Sequence, residues 1–294
     1  YDAPIEKRKW FANFIVSLCI REVFTQSKNG FFAIGSDSSY ELISVFMECL
    51  EEKFSQLFFT EEDMLLALGL TSWVDHFVKP LGFFDYHYKE YSANGRNAPI
   101  YLPIQSSSRS LTIWLDYHSI KKDAHIHCVN EIIDPKVEGL NIEIEKIKTK
   151  GGENEELASL LALKDEITDF RDDLLNIGDH WFPDLNDGVA ITLAPFGKLF
   201  KHAAWQNKLS KKWADLESGM YEWSSIAMGY WPERVIRAAY SNVSIAIAHD
   251  IEADLWEEIE MPAARGKGTK VVWQPKELTD SELDAYIEQK KAQR

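Results

Sequence analysis

The residue types best suited to chemistry lie between positions 195 and 240. Lys198, Lys201, Lys208, Lys211, Lys212, Arg234 and Arg237 stand there against Asp215, Glu217, Glu222 and Glu233, a local excess of three positive charges, with Trp205, Trp213, Trp223 and Trp231 among them. Ammonium and guanidinium groups neutralise phosphates and indole rings stack on bases, so cations interleaved with aromatics form the pattern of a nucleic-acid contact. The plainer reading puts the tryptophans in a core and the lysines in water. Arg96 and Arg109, with Lys89 nearby, make a second candidate set for phosphate.

Other constellations carry less. His125 and His127 would share a face on a strand, with Cys128 and His118 close by, but no second pair of ligands sits at a zinc-binding spacing, so no metal is expected. Asp184 and Asp187 could form a carboxylate pair, yet Asn186-Asp187-Gly188 is first of all a turn signal. The sequence holds no GxxxxGK[ST], GxGxxG, GxSxG or HExxH. No catalytic residue is expected.

The chain that must position these residues has 294 amino acids, 45% of them hydrophobic and 13% aromatic, enough for one large domain or two smaller ones with a substantial core. Thirty-two lysines and arginines against 47 acidic residues give a formal charge of −15, which disfavours a generic binder of nucleic acid or anionic membrane; any such contact must come from a local patch. Much of the acidity is localised. Residues 41 to 63 carry seven acidic side chains and one lysine, and residues 138 to 180 carry twelve against five basic ones. Cys19, Cys49 and Cys128 are too few and too scattered for a disulfide framework, which fits a reducing cytoplasm. The most apolar run, Phe11 to Ile20, is interrupted by Asn13 and Ser17 and falls short of the roughly 20 residues that span a bilayer, so no membrane partner is expected. An opening at Tyr1 without a methionine fits an excised part of a longer protein.

The organisation reads as mainly α. From Pro4 to about Gln26 the residues Trp10, Phe11, Phe14, Leu18 and Val23 recur at helical spacing, as a core-facing stripe would. Ser38 or Ser39 can cap a second helix through Phe54, and Thr60 with Asp63 makes a near capping box for a third. Residues 71 to 91 read as two short helices divided at Lys79-Pro80. APIYLPIQ and SLTIWLDYH, separated by SSSR, read as a β-hairpin whose first strand, carrying Pro99 and Pro103, belongs at an edge.

The clearest periodicity follows. Ile133, Val137, Leu140, Ile144 and Ile147, then Leu160, Leu163, Ile167, Phe170, Leu174, Ile177 and Trp181, alternate by three and four around a linker at Gly151-Gly152. Two such seams joined by a short connection predict a long antiparallel coiled-coil hairpin over 131–180. Helical patterns resume at 202–216, 221–229, 232–239 and 245–256. A loop, PAARGKGTK, precedes one short strand, VVWQP, and Thr279 starts a last charged helix. The expected segments are an N-terminal helical part over 1–97, a β-hairpin segment over 98–130, the coiled-coil arm over 131–180 and a C-terminal helical part over 181–294.

Several strings together carry a resemblance. GFFDYHYKEYSANGRNAPIYLPIQSSSRSLTIWLDYH, DLNDGVAITLAPFGKLF, YWPERV and SIAIAHDIEADLW occur in that order with a heptad-rich stretch between the first and second. This resembles the C-terminal region of the large adenine-specific DNA methyltransferases of the PglX type, which belong to BREX phage-defence systems and are similar to fused restriction-modification enzymes. One departure is Leu102, where the family pattern has tryptophan after the tyrosine, which removes a stacking candidate. In that family S-adenosylmethionine is held by a Gly-rich turn and the target adenine by an Asn-Pro-Pro-Tyr motif, neither of which occurs in this sequence. The resemblance therefore implies a non-catalytic C-terminal module that helps to position or recognise duplex DNA, with the methyl donor bound elsewhere in the parent enzyme. Lys198, Lys201, Lys208, Lys211, Arg234 and Arg237 are the leading phosphate candidates, and Arg96 and Arg109 the second set. The rival expectation is an interaction module that docks other defence-system proteins through the acidic arm.

Overall fold

A computed structural model describes residues 4–36, 38–56, 60–93, 99–149, 155–262 and 269–293. The chain divides into two compact units, one made of Tyr1–Asp179 with Pro195–Leu209 and the other of His180–Ala194 with Ser210–Arg294.

The first unit begins with α1 (Ile5–Thr25). Its buried face is Ala12, Ile15, Val16, Cys19, Ile20 and Val23, while Trp10, Phe14 and Leu18, expected in the core, are exposed at 56%, 40% and 37%. The helix is apolar on two faces, and the 3–4 spacing of the second is as regular as that of the first, so spacing alone picks the wrong one. The chain then forms β1 (Phe31–Ile34), a strand absent from the sequence reading, in which all four side chains are buried. Gly30 (φ 74°) and Gly35 (φ 85°) bracket it in left-handed backbone; a Cβ on Gly35 would lie 2.4 Å from the Ser110 carbonyl oxygen.

Next come α2 (Leu42–Phe54), α3 (Glu61–Leu68), α4 (Trp73–Val78) and α5 (Phe83–Ala93). Thr60 and Asp63 form a reciprocal capping box on α3, as their spacing implies. Neither Ser38 nor Ser39 caps α2: Glu41 occupies the cap position, and its carboxylate turns back to accept from the Gly35 amide at 3.1 Å. The break between α4 and α5 falls at Lys79-Pro80, where the proline pattern puts it.

Strands β2 (Tyr101–Gln105) and β3 (Thr112–Asp116) form the expected hairpin, and β1 pairs antiparallel with the other side of β3, giving the order β1-β3-β2. Pro103, opposite Trp114, therefore sits on an edge strand, where its missing N–H costs no ladder bond. Trp114, buried, packs against Phe77, Phe83 and Phe84.

Helix α6 (Ala124–Cys128) passes through a π turn at Val129–Ile133 into α7 (Asp134–Thr149), and α8 (Glu155–Gly178) packs back on α7. Helix thus begins seven residues before the boundary drawn from the heptads, and His125 and His127 are helical, on different faces, rather than on a strand. Of the seam residues, Ile133, Leu140, Ile144, Ile167, Phe170, Leu174 and Ile177 are buried and Val137, Ile147, Leu160 and Leu163 half-buried. Arg171 on α8 donates to Asp134 on α7 at 2.6 Å. Where α8 ends, a Cβ on Gly178 would meet the His125 ring at 2.0 Å, so only glycine admits the imidazole there.

In the second unit are α9 (Val189–Thr192), the end of α10 (Ala203–Glu217), α11 (Ser225–Tyr230), α12 (Pro232–Ser241), α13 (Val243–Ala248) and α14 (Glu252–Leu255). Where one short strand and a helix through Trp256 were expected, β4 (Trp256–Pro262) and β5 (Thr269–Pro275) pair as an antiparallel ribbon. Glu257, Glu258 and Glu260 mask β4 from sequence patterning. Helix α15 (Asp280–Ala292) starts on a Thr279–Glu282 capping box and closes a core of Ile236, Ala239, Ile251, Leu255, Leu283 and Ile287. The architecture is mainly α with small antiparallel sheets. Among the described residues no helix is long and apolar enough to cross a membrane.

Candidate functional site

The cations singled out by sequence divide by what holds them. In the first unit Lys198 reaches the Asp173 carboxylate, Lys201 donates to the Lys198 carbonyl at 3.2 Å, and Lys208 lies over the Trp205 ring at 5.1 Å. Trp205 itself is fully buried. In the second unit Lys211 is exposed, and Lys212 donates to Asp215 at 3.1 Å and to the Tyr221 hydroxyl. Arg234 is a clamp: it donates to the carbonyls of Leu216 and Glu217 at the end of α10 (2.6 and 2.8 Å), faces Glu222 at 2.6 Å and stacks over Trp231. A cation on the last carbonyls of a helix also opposes its dipole. Arg237 pairs with Glu233 and, at 2.6 Å, with Asp284. Arg109 is exposed at φ 70° in the β2–β3 turn, whose Ser108 and Ser110 hydroxyls donate to Glu166 of α8. Arg96 lies outside the described residues.

The two aspartates work as a turn. Asp184 accepts from the Asn186 amide at 2.8 Å, and Asp187, 8% exposed, accepts from the Ser225 amide at 2.8 Å where α11 begins. Burial pushes the Asp187 carboxyl up to about 6, against the pull of the Ser225 hydrogen bond and with the Asp184 charge adding to the rise. Because this folded value lies above the ordinary one, the native state binds the extra proton, and stability falls as pH rises from about 4 to about 6. Asp187→Asn keeps an acceptor for Ser225 and removes the buried charge. It should equal the parent at low pH, exceed it by about 1–2 kcal/mol at neutral pH, and flatten that slope in urea titrations across pH.

The histidines assemble a polar cluster that the sequence reading missed. Glu131, in the π turn, accepts from the Tyr40 hydroxyl, from Asn29 Nδ2 at 3.0 Å and from His127 Nδ1 at 2.8 Å; His127 Nε2 faces Asp123 at 3.5 Å. Burial alone would raise the Glu131 carboxyl, but the hydrogen bonds from Tyr40 and His127 hold it below the usual carboxylate range, and the Tyr40 hydroxyl is raised in turn. The two carboxylates meet different imidazole nitrogens, so the cluster ties loops together rather than converging on one point. Among the described residues no group of His, Cys, Asp and Glu side chains is arranged to hold a metal ion.

The first unit holds a cleft of about 890 Å³ between α1, α5, the start of β2 and the end of β3. Phe14, Tyr86, Tyr91 and Tyr101 wall it, with Arg21, Glu90 and His118 among its polar groups. His87 builds one side: its Nε2 accepts from the amides of Ile100 and Tyr101, both at 3.1 Å, and its ring stacks between Phe83 and Tyr101. Burial lowers this imidazole to about 3, so it stays neutral and holds the strand as an acceptor. Burial likewise raises the Tyr101 hydroxyl to about 12. The spacing of Tyr86, His87, Glu90 and Tyr91 marks one helix face in the sequence, but only the fold brings Phe14, Arg21 and Tyr101 opposite it. No protein-family model matches the chain, and no curated protein sequence matches it.

Proposed function

We propose that this chain is the non-catalytic C-terminal module of an S-adenosylmethionine-dependent adenine-specific DNA methyltransferase of BREX or restriction-modification type, acting in the cytoplasm to help position duplex DNA. The observation that carries this reading is the ordered set of four strings, from GFFDYHYKEY, which forms most of α5, to SIAIAHDIEADLW, which spans α13 and α14. An enzyme that methylates adenine flips the base out of the stack, and that step needs surfaces that hold the flanking backbone. No residue of this chain is assigned to the methyl donor, since the Gly-rich turn and the Asn-Pro-Pro-Tyr motif do not occur in it.

Exposed Lys211 is the cation best suited to a phosphate, and Lys201, which donates to the Lys198 carbonyl, and Lys208, which lies over an indole, precede it in sequence. Lys198, Arg234 and Arg237 are paired with the carboxylates of Asp173, Glu222 and Asp284 and would have to leave them to bind one. Titrating the chain with a labelled duplex at 50 and 200 mM salt tests the proposal. Replacing Lys201, Lys208 and Lys211 by alanine should weaken binding about tenfold or more at low salt. Unchanged affinity would refute the assignment.

A second reading is favoured by α7 and α8. Their buried seam, the Arg171–Asp134 pair across it and the acidic exposed surface support an antiparallel coiled-coil hairpin, which would dock a basic defence-system partner.

A further inference from the structure

We propose that the solvent face of α1 and the adjoining cleft form a second nucleic-acid site, one that takes unpaired nucleotides by stacking. It lies apart in sequence from the lysines assigned to duplex DNA and takes a different form of the polymer.

Three observations carry it. First, Lys7, Trp10, Phe14, Ser17 and Arg21 follow one another at spacings of 3, 4, 3 and 4, with Leu18 beside them, so α1 shows water a stripe that is aromatic in the middle and basic at both ends. The helix holds Lys7, Arg8, Lys9 and Arg21 against Glu6 and Glu22, a local excess of two positive charges in a chain of −15. Lys7, Lys9 and Arg21 are exposed and make no ion pair with a described residue.

Second, Trp10 and Phe14 lie parallel, with ring centroids 5.4 Å apart and 6° between planes, while staying 56% and 40% exposed. Large aromatic faces left in water are unfavourable unless something covers them. A pre-stacked indole and phenyl offer a flat platform on which a base adds as the next ring, a contact worth about 1–3 kcal/mol per base.

Third, the stripe runs into the cleft, where Phe14 and Arg21 are shared with Tyr86, Tyr91 and Tyr101. Its volume of about 890 Å³ is in the range that holds a nucleotide. Aromatic walls suit a planar ring, and the Arg21 guanidinium at the rim suits the phosphate that follows. The Asp116 carboxylate in the cleft is committed, accepting from the His118 amide at 3.1 Å and the Ser119 hydroxyl at 2.8 Å. A duplex cannot use this arrangement because its bases have no free faces. The occupant is single-stranded.

The test uses the whole chain and two labelled probes at 50 mM salt: a ten-nucleotide oligothymidylate and an abasic oligomer of equal length. The oligothymidylate should bind at least tenfold tighter than the abasic strand. Trp10→Ala and Phe14→Ala should each weaken it at least fivefold, and Arg21→Glu at least tenfold. All three residues are on the surface, so thermal midpoints and duplex affinity should stay as in the parent. Conversely, alanine at Lys201, Lys208 and Lys211 should leave oligothymidylate binding intact, so this site and the duplex site fail separately. Absence of oligothymidylate binding, equal affinity for the abasic strand, or an unchanged Trp10→Ala variant would overturn the proposal and leave this face to a protein partner.

Discussion

Gly82→Ala should cost the protein about 3 kcal/mol, seen as a fall in the urea midpoint at constant slope. Gly82 closes the corner between α4 and α5, where its amide donates to the Lys79 carbonyl at 2.9 Å. A Cβ there would stand 2.0 Å from the His76 carbonyl oxygen, 2.9 Å from the His76 carbonyl carbon and 3.0 Å from the Lys79 oxygen. All three are backbone atoms, so no side chain can swing aside; α4 itself must move. That movement would loosen the rings packed at the corner, where Phe83 lies 5.4 Å from Phe77 and 5.6 Å from Trp114. Leu81→Ala is the control: the side chain is 81% exposed, and its loss should shift the midpoint little. A Gly82→Ala protein as stable as the parent would show that the corner is not packed as described.

Glu131→Ala should be nearly as damaging, at roughly 2–3 kcal/mol, because it strands three donors at once: the Tyr40 hydroxyl, Asn29 Nδ2 and His127 Nδ1. The three bonds are only part-buried, so water takes over some of the bonding of the stranded donors and the net loss is about 0.7–1 kcal/mol per bond. Glu131→Gln keeps one acceptor and should recover part of the loss. The π turn carries the consequence. Asn29 precedes β1 and Tyr40 follows it, so Glu131 pins both ends of that strand to the helix that becomes α7. Hydrogen exchange should therefore quicken first in β1 on Glu131→Ala. Protection unchanged in β1 would separate the cluster from the sheet.

What was legible in the sequence was local. Lys79-Pro80 ends a helix by its own stereochemistry, Thr60 and Thr279 close capping boxes three residues on, and Pro103 marks an edge strand because it lacks a donor. The heptads placed α7 and α8 for the same reason. What failed needed long-range information. Trp10, Phe14 and Leu18 have helical spacing whether they face core or water, and only the packing of Ile15, Val16 and Cys19 decides which. β1 is four residues long, too short to show a period, and it exists because β3 pairs with it across some eighty residues. Three glutamates in β4 hide a strand that is exposed on both faces. The same limit applies to sites. The i, i+4 spacing of Asp123, His127 and Glu131 is visible in the sequence, but Tyr40 lies 91 residues from Glu131, and the cleft draws on helices and strands that no short window contains. The basic stretch at 195–240 is legible as a charge feature, while the uses of Arg234 and Arg237 within the fold depend on Leu216, Glu217, Glu222 and Asp284, which the stretch alone does not bring to them.

The central claim is that this acidic chain meets duplex DNA through a few local lysines, and the salt dependence of binding tests it most directly. Affinity for a labelled duplex, followed by anisotropy from 50 to 200 mM salt, should fall with a log–log slope of about −3, the value for about three phosphates neutralised. The slope should shrink toward zero when Lys201, Lys208 and Lys211 become alanine. No measurable binding at 50 mM, or a slope that the three substitutions leave unchanged, would contradict the account.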